Sequence, residues 1–214
     1  MIAVTGSTVG KDGTARLLKD DTVCSMSKSD FLIVLGGCGV TEARADFGAR
    51  VKEYRDLPCS VLFIDGSTDD YDLLAEHPFF PWNGGQIRSI SRGITYLARG
   101  QVFSLGGSSF LAMGGAPTPD RDDLGKYYTW WPEQDISPED EKEAELNLLD
   151  NGWRADYVLT SDRPRGWGGP GGSEVLERLA FQTDYGTWYF AGPEDRELPD
   201  YRAVQVCDRV ISLG

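Results

Sequence analysis

Small and polar residues follow three apolar segments of this chain, and such turns are where a site would be expected. Residues 61–64 run into Asp65-Gly66-Ser67-Thr68-Asp69-Asp70. The earlier segments, residues 2–4 and 31–35, run into Gly6-Ser7-Thr8-Val9-Gly10 and Gly36-Gly37-Cys38-Gly39. Open α/β sheets bind their ligands beyond the carboxyl ends of the strands. The sequence therefore predicts that the three turns meet on one rim and form a site there.

The side chains expected near this rim allow more than one chemistry. Carboxylate oxygens are the ligands that hard cations prefer, although turn and helix capping is the alternative role; the four carboxylates are Asp65, Asp69, Asp162 and Glu194. Cys38 is either an exposed nucleophile, which would need an activating base or positive neighbour, or a small turn residue. The single histidine, His77, is expected at the surface or its boundary.

Positive charges and a glycine-rich segment lie close to the predicted turns. Lys11, Arg163 and Arg165 are candidates for binding an anion or a phosphorylated ligand, with solvated loop charges as the alternative. Residues 166–173 are rich in glycine but lack the Gly-Lys-Ser/Thr ending of a phosphate loop, which indicates a mobile flap over the rim. Aromatic residues are expected mainly in the core or in a groove wall, with a partner surface as the alternative: Trp82, Tyr127, Tyr128, Trp130, Trp131, Trp167 and Trp188.

The order and spacing of the turns resemble the calcineurin-like metallophosphoesterase superfamily, and in particular its small bacterial and phage branch. The signatures of that family are Gly-Asp-x-His-Gly, Gly-Asp and Gly-Asn-His-Glu/Asp, followed by Thr-His-x-x-Pro and Trp-Tyr-Phe-Gly-His-x-His. The corresponding later segments here are Thr160-Ser161-Asp162-Arg163-Pro164 and Trp188-Tyr189-Phe190-Ala191-Gly192-Pro193-Glu194. Framework segments between the two halves also match, so the resemblance covers nearly the whole chain: Trp82-Asn83-Gly84-Gly85, Arg99-Gly100-Gln101-Val102-Phe103, Gly114-Gly115-Ala116 and Trp130-Trp131-Pro132-Glu133.

In that family, Asp, His and Asn side chains hold two metal ions that bind phosphate and activate water. The resemblance places the ligand and acid positions at Ser7, Val9, Gly37, Ser67, Thr68, Ser161, Gly192 and Glu194. Only Glu194 is a strong ligand, and Thr68 replaces the general-acid histidine with a group that cannot donate a proton near neutral pH.

The chain resembles the family but has lost the metal-ligand residues. This combination implies a degenerate, catalytically inactive homologue without metal or other cofactor. Such a protein would act as a binding or regulatory module through the former active-site cleft. Its partner would be an unknown protein or a small phosphorylated ligand. The alternative is a phosphoesterase with a rebuilt, non-standard metal site.

Composition and length set further expectations. A chain of 214 residues fits a single domain, residues 1–214, with a core of its own. A net charge of -13 repels a phosphate backbone, so nucleic acid is not an expected partner. Residues 1–6 do not resemble a signal peptide and there is no run of 18 apolar residues, so a cytoplasmic protein without membrane contact is predicted. The four scattered cysteines, Cys24, Cys38, Cys59 and Cys207, are expected to be free thiols.

The periodicity of the chain predicts the elements that would position the rim. The predicted fold class is α/β, a four-layer α/β/β/α sandwich with mixed parallel and antiparallel sheets. Helical spacing is found in residues 41–56, with shorter helices in 12–28 and after Asp70. Residues 94–98, 101–105 and 108–113 are predicted strands joined by tight hairpins at Arg99-Gly100 and Gly106-Gly107. A helix is predicted from Ser137-Pro138 to Asn151-Gly152, and strands at 157–160, 187–191, 203–206 and 210–213 are predicted to complete the second sheet.

Overall fold

The protein is an α/β sandwich, as the sequence predicts. A computed structural model describes residues 1–9, 12–118 and 130–213. Its strands, in chain order, are β1 (Ile2–Thr5), β2 (Phe31–Val34), β3 (Ser60–Phe63), β4 (Phe79–Trp82), β5 (Gly85–Ser91), β6 (Ile94–Leu97), β7 (Gln101–Leu105), β8 (Ser108–Met113), β9 (Arg154–Thr160), β10 (Asp184–Ala191), β11 (Arg196–Leu198), β12 (Ala203–Val206) and β13 (Val210–Leu213). Its α-helices are α1 (Gly13–Leu17), α2 (Asp21–Ser25), α3 (Phe47–Asp56), α4 (Tyr71–Ala75), α5 (Pro138–Asp150) and α6 (Glu174–Gln182).

The first sheet has seven strands in the order β13-β1-β2-β3-β6-β5-β4. Strands β1, β2, β3 and β6 are parallel, whereas β13 at one edge and β5 and β4 at the other are antiparallel to their neighbours. Parallel strands that are covered on both faces are apolar throughout, and Leu32, Ile33 and Val34 of β2 are fully buried. The carboxyl ends of β1, β2 and β3 therefore share one edge of this sheet.

The second sheet has six strands in the order β11-β12-β10-β9-β8-β7. Its parallel centre consists of β8, β9, β10 and β12, with β7 and β11 as antiparallel edges. Three apolar cores separate the layers. One joins the two sheets face to face, and the other two pack each sheet against its own helices. This arrangement matches the four-layer prediction.

Several elements differ from the prediction. Strands β6 and β7 lie in different sheets, so the predicted hairpin at Arg99-Gly100 is wrong, and this segment crosses between the sheets instead. Strand β13 pairs with β1 in the first sheet and does not complete the second. Helix α3 begins at Phe47 and not near Thr41. Strand β11, helix α6 and the β4–β5 hairpin were not predicted; that hairpin turns at Asn83 and Gly84, with φ values of 48° and 95°.

Helix α5 begins as the sequence predicts. The Asp140 N–H donates to Ser137 Oγ at 3.1 Å, and the Ser137 N–H donates to Asp140 Oδ2 at 2.9 Å. This reciprocal pair is a capping box, which satisfies two backbone donors that the first turn leaves free. The cap fixes the start of the helix beside the connection between the sheets.

Removing this cap is the first testable prediction. Ser137→Ala is expected to lower the free energy of unfolding by about 1 kcal/mol, the usual value for a lost N-cap. Ser212→Ala, at an exposed serine of β13, removes a hydroxyl without a cap and is the matched control. Urea denaturation of both variants measures the difference, and equal stabilities would contradict the role assigned to Ser137.

Candidate functional site

Hydrogen bonds between turns build the rim of the first sheet. Ser7 Oγ and the Thr8 N–H both donate to the Gly37 carbonyl at 3.2 Å, and the Gly37 N–H donates to the Ile64 carbonyl at 3.2 Å. The turns after β1, β2 and β3 are therefore held in direct contact. This confirms that these three strand ends meet.

The second sheet contributes its strand ends to the same place. Ser161, which follows β9, donates its hydroxyl to the Asp65 carbonyl after β3. A Cβ at Gly36 would lie 2.7 Å from the Cβ of Ala191, the last residue of β10. That distance is too short for any side chain at position 36, so glycine is required where the two sheets approach each other. Five strand ends thus form one rim.

At the centre of the rim, Val9, Thr68 and Asp69 surround Gly37 on the side where a side chain would lie; we call these four residues the Gly37 pocket. Gly37 has φ +96°, and a Cβ there would lie 3.2 Å from Asp69 Oδ2 and 3.3 Å from Thr68 Oγ1. The Thr68 hydroxyl oxygen is buried and has no hydrogen-bond partner among the residues that the structure describes. An unpaired buried hydroxyl costs about 1–3 kcal/mol, so a hydrogen bond to this oxygen would be favourable.

Asp69 is the carboxyl group of this pocket. Its Oδ2 accepts from the Gly66 N–H at 2.7 Å and its Oδ1 accepts from Thr41 Oγ1. Complete burial raises the pKa of Asp69 from its ordinary value of 3.8 to about 7, against the opposing effect of these two hydrogen bonds. The loss of hydration outweighs the donors because a buried carboxylate has few ways to replace water.

Asp65 lies beneath the rim in a different environment. It is fully buried and accepts from Tyr96 Oη at 2.9 Å, from Tyr71 Oη, and from the Nε and Nη2 of Arg99. Burial opposes ionisation, but the charge and hydrogen bonds of Arg99 overcome it and hold the pKa of Asp65 below its ordinary value. Asp65 is therefore a paired structural carboxylate and not a free cation ligand.

Arg99 connects the two sheets through this ion pair. Its Nη1 donates to Asp140 Oδ2 and to the Asp135 carbonyl at 3.0 Å, and its Nη2 donates to the Glu133 carbonyl at 2.6 Å. This ion pair was not predicted, because Asp65 and Arg99 are 34 residues apart and show no local pattern. The available signal was an arginine within a short connection between two apolar strands, where an unpaired charge would be costly.

Three of the eight positions make their contacts beside the pocket. The Ser67 carbonyl accepts from Gln134 Nε2 at 2.6 Å and from Thr118 Oγ1 at 3.2 Å. Gly192 packs against the side chain of Gln205, whose Nε2 donates to the carbonyl of the exposed Glu194 at 2.8 Å. The structure thus gathers Ser7, Val9, Gly37, Thr68 and Ser161 most closely.

The two described candidates for anion binding are engaged elsewhere, and Lys11 lies outside the described residues. Arg163 Nη2 donates to the Pro170 carbonyl, and Arg165 forms an ion pair with Glu174 at 2.6 Å. The loop over residues 163–173 is closed by its own backbone hydrogen bonds, and Trp167 is buried in the second core. These contacts anchor the loop for which the sequence predicted a mobile flap.

The remaining residues singled out by the sequence show no sign of a chemical role in the part of the chain that the structure describes. Cys38 is fully buried, and burial together with the charge of Asp69 raises the pKa of its thiol well above the ordinary value, so it is not an exposed nucleophile. His77 is half-buried against the ring of Phe47. All four cysteines are free thiols, as predicted. Asp162 is half-buried, and burial raises its pKa.

The aromatic residues mostly belong to the core. Trp131, Trp167 and Trp188 are buried, and Trp82 and Trp130 are half-buried. Tyr127 and Tyr128 fall outside the described residues. These positions favour the core role over an exposed partner surface.

The rim does not fit a metal centre of the kind that the family resemblance implies. In residues 1–9, 12–118 and 130–213, no three His, Cys, Asp or Glu side chains come together in a group that could hold a metal ion. Asp65 forms an ion pair with Arg99, and Asp69 accepts hydrogen bonds from the Gly66 N–H and the Thr41 hydroxyl. Separately, no helix in the described parts of the chain has the length and apolar character needed to span a bilayer.

Comparisons with known proteins show the fold of this chain but do not assign the chain to a family. No family model matches the chain, and no curated protein matches it. Among solved structures it is similar to the crystal structure of TT1561 of Thermus thermophilus, with a TM-score of 0.60 and 15% sequence identity over 97% of this chain and 88% of that chain. At this identity the likeness shows a shared α/β sandwich fold.

Proposed function

We propose that this protein is a noncatalytic member of the metallophosphoesterase-like folds that binds a ligand at the rim. The observation that carries the proposal is the Thr68 hydroxyl, which is buried and unpaired within the described part of the chain and faces Gly37, where no side chain intervenes. Hydroxyls and glycine replace the carboxylates and imidazoles that a two-metal site requires. The rim can donate and accept hydrogen bonds, but it lacks the charge to hold two divalent ions.

The ligand class that we propose is a small phosphorylated molecule or a protein segment that enters the Gly37 pocket. Thr68 supplies the unpaired hydroxyl, Ser7 Oγ is engaged with the Gly37 carbonyl and the Val9 N–H, and Gly37 places no side chain between Val9, Thr68 and Asp69. Because Arg163 and Arg165 are used within their own loop, binding would rest on hydrogen bonds more than on ion pairs.

The binding test compares two glycines with the same backbone constraint. Gly37→Ala and Gly107→Ala both place a side chain at positive φ, +96° and +89°, but only position 37 has neighbours within 4 Å of a Cβ. Thermal-shift screening of the wild type with nucleotides and phosphorylated metabolites, together with a pull-down, is expected to find a binder. Gly37→Ala should abolish its binding and Gly107→Ala should retain it. A screen and pull-down without any binder, or equal loss in both variants, would contradict the proposal.

The noncatalytic part of the proposal has its own test. Purified protein is expected to contain no stoichiometric manganese, iron or zinc and to hydrolyse neither phosphomonoesters nor phosphodiesters with added manganese. The single reversions Ser7→Asp and Thr68→His should not restore activity, because one ligand does not hold a divalent ion against water. Chelator-sensitive turnover in the wild type would establish the alternative, a hydrolase with a rebuilt site.

A further inference from the structure

Two adjoining cavities outside the rim form one groove, which we call the α4–α5 groove. Helix α4 and strand β5 form one side, and helix α5 forms the other. The cavities have volumes of about 730 Å³ and 510 Å³ and share Gln86, Gln101 and Glu143 in their walls. Each has the size of a small-molecule pocket. The cavities lie side by side, with the Gln101 Nε2–Glu143 Oε1 hydrogen bond of 2.8 Å in their shared wall, so an extended ligand that crosses this wall fits the groove better than a compact one.

The walls of the groove are acidic. The larger cavity is lined by five carboxylates and two arginines; the carboxylates are Asp72, Glu133, Asp135, Asp140 and Glu143. The charge of Arg99 is taken up by Asp65 and Asp140. Asp72, Glu133 and Glu143 form no ion pair with any residue in the described part of the chain, so no described cation compensates their charges.

Arg88 does not neutralise this wall. Its guanidinium lies over the ring of Phe79 at 3.7 Å and donates to the carbonyls of Ala75 and His77. Only its Nη1 makes these bonds, the buried Nε has no hydrogen-bond partner among the described residues, and no ion pair joins Arg88 to a described carboxylate. The lining residues that the structure describes, five carboxylates against two arginines, therefore carry a net negative charge.

The floor of the groove is apolar and aromatic. Leu74, Phe79, Tyr96 and Ala98 contribute to its lining, and Phe79 is 50% exposed. Lysine and arginine side chains bury their methylene stems on apolar surface and keep their charged ends at a polar rim. An apolar floor between carboxylate walls provides both of these surroundings.

We propose that the α4–α5 groove binds an extended polypeptide segment rich in lysine or arginine. This site is separate from the rim, since none of the eight rim positions lines either cavity. The two neighbouring cavities favour a polypeptide, whose successive side chains could enter both, over a small polyamine. Its negative charge excludes nucleic acid, and its described carboxylates do not converge as metal ligands.

The test uses fluorescence anisotropy with two pools of labelled peptides of about ten residues. One pool alternates Arg or Lys with randomised residues, and the other alternates Asp or Glu with them. Measurements at ~0.15 M salt, where the Debye length is about 8 Å, screen the distant charges of the protein. Only the basic pool is expected to bind.

Variants at two exposed helical alanines locate the binding. Ala75 in α4 lines the groove and Ala49 in α3 does not. Ala75→Arg is expected to weaken binding at least tenfold, whereas Ala49→Arg, with the same charge change, should alter it less than twofold. Ala75→Glu should retain or strengthen binding, which separates repulsion from steric blocking.

Several outcomes would overturn this inference. They are failure of the basic pool to bind, equal binding of the acidic pool, or equal weakening by Ala75→Arg and Ala49→Arg. Binding of spermidine that responds to Ala75→Arg, without binding of the peptides, would show a polyamine site instead. Unchanged thermal midpoints of the variants confirm that each remains folded.

Discussion

Asp65→Asn is expected to lower the free energy of unfolding by about 3–5 kcal/mol, the cost of removing one member of a buried ion pair, and Arg99 keeps only its ion pair with Asp140. The side chains of Asp65 and Arg99 are 0% and 7% exposed, so water cannot replace the lost charge. Arg99 would remain between the sheets with a neutral amide in place of the carboxylate. Urea denaturation at neutral pH measures the loss.

An exposed ion pair supplies the matched control. Arg44 and Glu76 form a pair whose side chains are 55% and 56% exposed, and Arg44→Gln is expected to cost less than about 1 kcal/mol. The double variant Asp65→Asn/Arg99→Met should cost less than the sum of its single changes, because the second change removes the arginine that has lost its buried carboxylate. A loss below about 1 kcal/mol for Asp65→Asn would show that the pair does not stabilise the fold.

Asp69 is expected to make the protein less stable as the pH rises from about 4 to 7. Its pKa is raised from 3.8 to about 7 in the folded state, so in this range the folded protein holds a proton that the unfolded chain has lost. Stability falls with pH wherever the folded state binds more protons. At about 1.4 kcal/mol per pKa unit, the contribution is on the order of 4 kcal/mol, and it is present below pH 4 and lost through pH 7.

Asp69→Asn isolates this contribution, since asparagine resembles the protonated acid in shape and charge. The free energy of unfolding of the variant minus that of the wild type should rise by about 4 kcal/mol between pH 4 and pH 8. The variant should therefore be the more stable protein at pH 8. Asp56→Asn, at an exposed residue of α3, makes the same charge change on the surface and should show no comparable trend. A difference between wild type and Asp69→Asn that stays constant with pH would be incompatible with a buried proton at Asp69.

Local sequence patterns predicted the parts of the fold that depend on local physics. Uninterrupted apolar residues identified β1, β2 and β3, because strands covered on both faces have no polar side to display. Ser137 and Pro138 identified the start of α5, since a cap and a fixed proline φ act within one turn. These signals involve only neighbouring residues, and the structure confirms them.

Which strands pair with each other depends on contacts between residues that are far apart in the sequence. Residues 94–98 and 101–105 looked like a hairpin because a short glycine-containing turn separates them, but Arg99 enters an ion pair with Asp65 and the strands join different sheets. Strand β13 pairs with β1 across nearly the whole chain. No local pattern distinguishes these pairings from their alternatives.

The rim was predictable in position and less so in detail. The strand-end rule placed Ser7, Gly37 and Thr68 together, and the hydrogen bonds among their turns agree with it. The rule could not show that Asp65 forms an ion pair with Arg99 or that Asp69 lies against Gly37. Burial and pairing of a carboxylate depend on the packing of both sheets.

The pairing of β1 with β13 also bears on the order in which the protein is made. Ile2 lies opposite Leu213 and Thr5 opposite Val210, so residues 2–5 leave the ribosome well before their outer neighbour does. Until then β1 presents an open strand edge, and such edges favour pairing with other chains. A nascent chain halted before residue 210 should therefore be more prone to association than the finished chain, although its rim strands are already present.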